Sequence, residues 1–256
     1  MTHYQRGMMY ISQNRLQDAV IELEAATRDE PHNADIYYNL GVVYLNLNQL
    51  EKALNAFIRA LDINPEYLNA HINKGVVYSS LGDLHKAIEC FEAAINIAPE
   101  SALAHYNLAH SFQRLGEIDR AIEEYRQTIR LQVDFVSAHN ELGVLYRHKG
   151  FADAAMLHFK KAIKMDPTHR EATMNLAEAY FKREMYEDLE ILMLKSLKRF
   201  PNDVRTQFWM GIALFGLNRH EEGQDYLRQA SAIDPLFVSI QLQRHDVRLL
   251  VHDGMK

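Results

Sequence analysis

The chain is 256 residues long, with 48% hydrophobic and 24% charged residues, a balance that supports a packed core and excludes a wholly disordered or membrane-embedded protein. Net charge is −6, with 10 Lys+Arg against 17 Asp+Glu in residues 1–128 and 18 against 17 in the remainder, a balance that gives no electrostatic reason to bind a phosphate backbone, so nucleic acid is not an expected partner. The single cysteine, Cys90, excludes an internal disulfide and a cysteine-based metal cluster.

No apolar run approaches the roughly 20 residues of a bilayer-spanning helix. The opening Met1-Thr2-His3-Tyr4-Gln5-Arg6 lacks the basic, apolar and small-residue succession of a secretory leader, which makes a cytoplasmic location the expectation.

Aligned with itself, the chain repeats every 34 residues. One column reads Ala19, Ala53, Ala87, Ala121 and Ala155; four residues on stand Leu23, Phe57, Phe91, Tyr125 and Phe159. All six prolines (Pro31, Pro65, Pro99, Pro167, Pro201 and Pro235) fall in one column. Upstream lie Gly7, Gly41, Gly75, Ala109, Gly143, Ala177 and Gly211, each followed three residues later by Tyr10, Tyr44, Tyr78, Phe112, Tyr146, Tyr180 or Leu214. Within a unit, Tyr37, Leu40, Gly41 and Tyr44 fall at i, i+3, i+4 and i+7, one face of a helix, and Ala53, Phe57 and Ala60 mark a second helix. Small residues let the two approach closely, the aromatics fill the remaining space, and proline ends the unit.

In chain order, the first unit (1–33) places Met8, Met9 and Ile11 where no earlier repeat covers them, leaving an apolar end open to self-association. Units two to five follow at 34–67, 68–101, 102–135 and 136–169. The turn within each pair carries a residue that tolerates the left-handed region, at Asn14, Asn48, Gly82, Gly116, Gly150 and Asn218. The fourth unit departs at Thr128 and at Val133, which holds the proline position, so its junction is expected to bend differently. In the sixth (170–203), Glu184 stands at the turn, Leu189 replaces the alanine and Met193 the aromatic, so irregular packing is expected. The seventh (204–235) precedes 236–252, read as a capping helix. Gln241, Arg244, His245 and Arg248 would stand where a partner helix is missing, and Ile240, Val247 and Val251 would contact the preceding repeat.

This succession of small residue, aromatic, alanine, aromatic and proline resembles the tetratricopeptide repeat over residues 1–235. The resemblance implies an all-α solenoid of seven antiparallel helix pairs plus a C-terminal capping helix, coiled as a right-handed superhelix and forming a single domain over 1–256. It also implies a concave wall built from the first helix of each pair. The family's wall positions fall on Tyr4, Met8, Ile11, Tyr38, Val42, Leu45, Ile72 and Val76, an apolar and aromatic strip suited to an amphipathic helix or an apolar peptide stretch. They continue with Tyr106, His110, Gln113, Arg114, Asn140, Arg147 and His148, a polar to basic stretch suited to an acidic segment. Asn39, Asn73, Asn107 and Asn175 recur in one column. They resemble the asparagine ladder of O-linked N-acetylglucosamine transferases, which would hold a peptide backbone; the alternative is a local helix–helix hydrogen bond. The family's two-carboxylate clamp is not expected, because Met8 stands where an asparagine should follow Gly7.

No chemistry of another kind is legible. The 11 glycines form no phosphate loop, and His105 with His110, or His139 with His148, lacks the i, i+4 spacing of a zinc helix. His71, His105 and His139 share one repeat column and read as packing residues. Ser79, Ser80 and Ser111 lie on helices rather than on a strained nucleophile turn, and Glu123 with Glu124, or Glu221 with Glu222, reads as solvated surface. The expected function is a non-catalytic scaffold, without metal or cofactor, that binds a protein or peptide in its groove; the alternative is an adaptor serving in trans a separate enzyme such as a glycosyltransferase.

Overall fold

The computed structural model describes residues 1–244, and every regular element among them is an α-helix. The first compact unit, Met1–Val133, holds α1 (His3–Ser12), α2 (Leu16–Asp29), α3 (Ala34–Asn46), α4 (Leu50–Ile63), α5 (Leu68–Leu81), α6 (Leu84–Ile97), α7 (Ala102–Leu115) and α8 (Ile118–Leu131). The second, from Asp134 onward, holds α9 (Val136–His148), α10 (Ala152–Met165), α11 (Arg170–Lys182), α12 (Tyr186–Leu197), α13 (Val204–Gly216), α14 (His220–Ile233) and α15 (Pro235–Arg244). The boundary falls at Val133, the repeat position that lacks proline.

Each repeat range contains one helix pair, closed by the columns read from the sequence. In the second pair Ala53, Phe57 and Ala60 are buried against Leu40, Gly41 and Tyr44. Glycine is required at 41 because a Cβ there would stand 2.6 Å from Cε1 of Phe57. The pair closes with the Tyr44 hydroxyl donating to the Glu24 carboxylate of the preceding pair. Residues before the prolines are extended, as Asn64 is at ψ 93°. The proline carbonyl then accepts from the next first helix: His71 Nε2 donates to Pro65 at 2.8 Å, His105 Nε2 to Pro99 at 3.1 Å, and Gln207 Nε2 to Pro201 at 3.0 Å. His71 and His105 are therefore inter-repeat ties, while His139, third in the column, meets His158 of its own pair at 3.0 Å.

All seven turns take the left-handed conformation, including the one where the sequence offers no suitable residue. Glu184 adopts φ +54° beside Asn14, Asn48 and Asn218 at φ +56°, +56° and +61°. Its backbone is held there by the helices on either side, since Glu184 N–H donates to Phe181 and Met185 N–H to Tyr180. A non-glycine residue in this region costs roughly 1–2 kcal/mol. Glu184→Gly is therefore expected to stabilise the protein by about 1 kcal/mol after the extra unfolded-state entropy of glycine is subtracted, read as a higher urea midpoint at unchanged slope.

Repeat six is irregular as its sequence predicts. α12 has 12 residues where α10 and α14 have 14. Leu189 and Met193 are fully buried in the alanine and aromatic columns, and the larger Leu189 keeps α12 from closing on α11. Every other second helix packs most extensively on its own first helix; α12 packs most extensively on α13 of the next pair. All residues from Thr206 to Phe215 of α13 are buried.

The expectation for the capping helix needs one correction. Contact with the preceding repeat is made by Phe237, whose ring lies 5.9 Å from that of Phe208, and by the buried Val238. Ile240, expected to share that contact, is 49% exposed, because the helix register that turns Phe237 and Val238 inward points it to solvent. His245, Val247, Arg248 and Val251 lie outside the described residues.

Candidate functional site

In the first unit α3 lies against α5 and α5 against α7, so the first helices form a continuous face. Tyr4, Ile11, Tyr38, Val42 and Leu45 are half-buried on it, resting on the core around Leu40, Tyr44 and Phe57. The Tyr38 ring packs on Tyr67 at 4.9 Å and Phe57 at 6.0 Å. Met8 is open at 37%, whereas Ile72 is buried at 3% and offers nothing to a ligand. The expected apolar strip is thus in part an extension of the core.

Three of the four asparagines in the column spend their amides inside the protein. Asn39 Nδ2 donates to the Tyr4 hydroxyl at 3.1 Å and to the Asp35 carbonyl at 2.8 Å. Asn73 Nδ2 donates to the Tyr38 hydroxyl at 3.3 Å, and Asn175 Nδ2 to Asn140 Oδ1 at 3.0 Å. The bonds to Tyr4, Tyr38 and Asn140 each join one repeat to the next across 35 positions of sequence. Burial, with the nearby carboxylates as a further contribution at Tyr4, pushes the Tyr4 and Tyr38 hydroxyls above their ordinary pKa, so both remain neutral acceptors. Asn107 differs. The residue 35 positions upstream of it is Ile72, which has no acceptor, and the Asn107 side-chain amide makes no hydrogen bond among the described residues.

Asn107 lies in an opening of about 310 Å³ between α5 and α7, with Val76, Tyr106, His110 and Arg114 beside it and Phe91 beneath. Five residues expected on the wall thus meet in one place. Arg114 is anchored by Nη1 to the Ser79 carbonyl at 2.8 Å and hydroxyl at 2.7 Å, while its side chain stays exposed. Gln113 accepts from the buried Tyr125 hydroxyl at 2.8 Å and is a packing residue.

In the second unit the expected basic stretch is largely neutralised. Arg147 Nη1 pairs with Glu178 Oε2 at 2.8 Å, and Lys182 Nζ meets the same carboxylate at 2.9 Å. Asn140 is buried at 6%, held by Asn175 and donating to Glu141 at 3.1 Å; His148 is exposed. A second opening, of about 340 Å³, lies against Met174, Asn175, Trp209 and Phe237, with Arg205 and Arg244 at its edge. Trp209 stands in the same repeat column as the asparagines. The same register puts Met174 and Arg205 at wall positions, so the signal for this opening was present.

No cluster of three metal-ligating side chains occurs among the described residues. Burial pushes the Cys90 thiol up to about 11, far from a nucleophilic thiolate at neutral pH. His105 is fixed at both ring nitrogens, by Pro99 and by Glu124 at 2.6 Å. No described helix is long and apolar enough to cross a membrane.

Sequence models of the tetratricopeptide repeat match residues 34–67, residues 7–48 and 75–116, and residues 106–169. No curated protein sequence matches. Solved structures with similar folds include MamA 41-end from Desulfovibrio magneticus RS-1, with TM-score 0.61 and 22% identity over 65% of this chain and 94% of that one. PilF of Pseudomonas aeruginosa aligns with TM-score 0.69 and 17% identity over 80% of this chain and 93% of its own. YrrB, described as a TPR protein with an unusual peptide-binding site, aligns with TM-score 0.55 and 19% identity over 87% and 97% of the two chains.

Proposed function

We propose that this chain, which belongs to the tetratricopeptide-repeat family of protein-interaction scaffolds, binds a peptide segment of a partner protein along its first helices, anchored at the opening around Asn107. The observation that carries the reading is the unspent Asn107 amide. In a column whose other members tie repeats together, this one presents a donor and an acceptor beside an apolar floor. An amide so placed grips a peptide backbone without reading its sequence. Val76 and Tyr106 offer contact to an apolar side chain, and the guanidinium donors of Arg114 not spent on Ser79 suit a carboxylate. That YrrB, of similar fold, is described as having a peptide-binding site supports the same use here.

The test is affinity purification of the full chain from its own cells, followed by mass spectrometry. Asn107→Ala with Arg114→Glu is expected to reduce recovery of the specific partners about tenfold or more, as loss of a hydrogen bond and reversal of a charge imply, while the circular dichroism spectrum stays unchanged. An unchanged set of partners would remove the site from this opening. Arg147 is a poorer target, because its ion pair with Glu178 makes any effect of its loss partly structural.

A further inference from the structure

We propose that the irregular sixth repeat carries a second binding site, a cleft between α10 and α12 that takes an acidic amphipathic segment of a partner protein. The cleft follows from the displacement of α12. With Leu189 filling the column that alanine holds elsewhere, and α12 ending two residues early and packing chiefly on α13, a space opens between α10 and α12 over α11. The space left is about 410 Å³, within the size range of sites that take one ligand segment, and it is open to solvent. Its floor is apolar: Leu176 and Tyr180 of α11 are buried beneath it, and Ile163 and Leu192 line its sides. Ile191, 52% exposed, stands at the edge.

The charge around this floor selects the occupant. Lys160 and Lys164 from α10, Lys195 from α12 and Arg199 just beyond it all line the cleft. All four are exposed, and none forms an ion pair among the described residues. Lys160 lies 5.3 Å above the Tyr180 ring and Arg199 donates to the Lys195 carbonyl at 3.3 Å, so two of the cations are held in place by contacts that leave their charge uncompensated. Asp188 is the one carboxylate in the lining. In a protein of net charge −6, a concentration of cations around apolar side chains is complementary to a ligand with carboxylates on one face and apolar side chains on the other. An apolar surface with a cationic rim between two second helices fits an amphipathic helix laid between them.

The site is independent of the first-helix opening and is tested separately. The full chain is titrated with a fluorescein-labelled synthetic helical peptide bearing Leu and Phe on one face and Glu on the other, read by anisotropy at low and physiological salt. Saturable binding that weakens as salt rises is expected. Lys195→Glu with Arg199→Glu should weaken it about tenfold or more. Replacing the peptide's Leu and Phe by Ser should abolish it. Asn107→Ala with Arg114→Glu should leave it unchanged. Lys160→Glu with Lys164→Glu, on the other wall, supplies a second variant should α12 not tolerate the first. Undiminished binding by both charge-reversed proteins, equal binding of a lysine-bearing counterpart of the peptide, or retention on phosphatidylglycerol vesicles without peptide binding would each overturn the proposal.

Discussion

Phe57→Ala is expected to destabilise the first unit by about 3–5 kcal/mol, the range for emptying an aromatic site in a close-packed core. Phe57 is fully buried, at the centre of a cluster that includes Leu40, Val43, Tyr44, Ala53 and Ala56. Its ring lies against Gly41, where no side chain is present to move into the space. The wild-type fit is tight in the opposite direction too: Gly41→Ala would place a methyl 2.6 Å from the ring and is expected to cost about 1–3 kcal/mol through overpacking. Repeat six offers one natural pairing for an alanine at this position, Ala177 with Met193, although repeat four keeps an aromatic, Tyr125, in the column opposite Ala109. Gly41→Ala with Phe57→Met, which imports that pairing, should lose less stability than the two single changes added together. Urea denaturation of the four proteins decides it; strict additivity would show that the glycine and aromatic columns are not a packing unit.

Where the repeat dictates packing, the sequence is sufficient to place the elements. The Gly41–Phe57 spacing, the alanine columns and the prolines locate every helix pair because each is a steric requirement within one unit or between neighbours. Glu184 shows the limit of residue-type reasoning: its turn was expected to be the exception, yet two well-formed helices impose φ +54° on it. Ile72 and Asn140 were read as wall residues from register alone, but both are buried, Asn140 beneath its bond to Asn175 of the next first helix. Asn107 was placed correctly within its column, and its distinct character was also readable, since Tyr4, Tyr38 and Asn140 are acceptors at the position where Ile72 is not. The cleft between α10 and α12 was not readable. Leu189 and Met193 announce that repeat six is irregular, but the direction in which α12 moves depends on its competing contact with α13.

That competition leads to the second large effect, expected at Asp203. As N-cap of α13, its carboxylate accepts from the Thr206 N–H at 2.9 Å and the Thr206 hydroxyl at 2.6 Å, and it pairs with Arg170 of α11. The Thr206 hydroxyl in turn meets Ser196 of α12 at 3.1 Å. One side chain, 6% exposed, therefore links α11, α12 and α13 at the repeat whose own helix pair is loosest. Asp203→Ala removes the cap, worth about 0.5–2 kcal/mol, and takes the charged acceptor from the fully buried Thr206 hydroxyl, leaving it only Ser196 Oγ, a further 1–3 kcal/mol or so. A total loss of about 2–4 kcal/mol is expected. Asp203→Asn keeps an acceptor oxygen for the Thr206 N–H and should recover about half of it. Because each repeat is stabilised chiefly by its neighbours, the loss should be local: hydrogen exchange of Asp203→Ala should show faster exchange in α12 and α13 while α3 and α4 keep their protection. Uniform loss of protection throughout the chain would mean instead that repeat six opens only in global unfolding, and that Asp203 contributes to the whole array rather than to the joint between α11, α12 and α13.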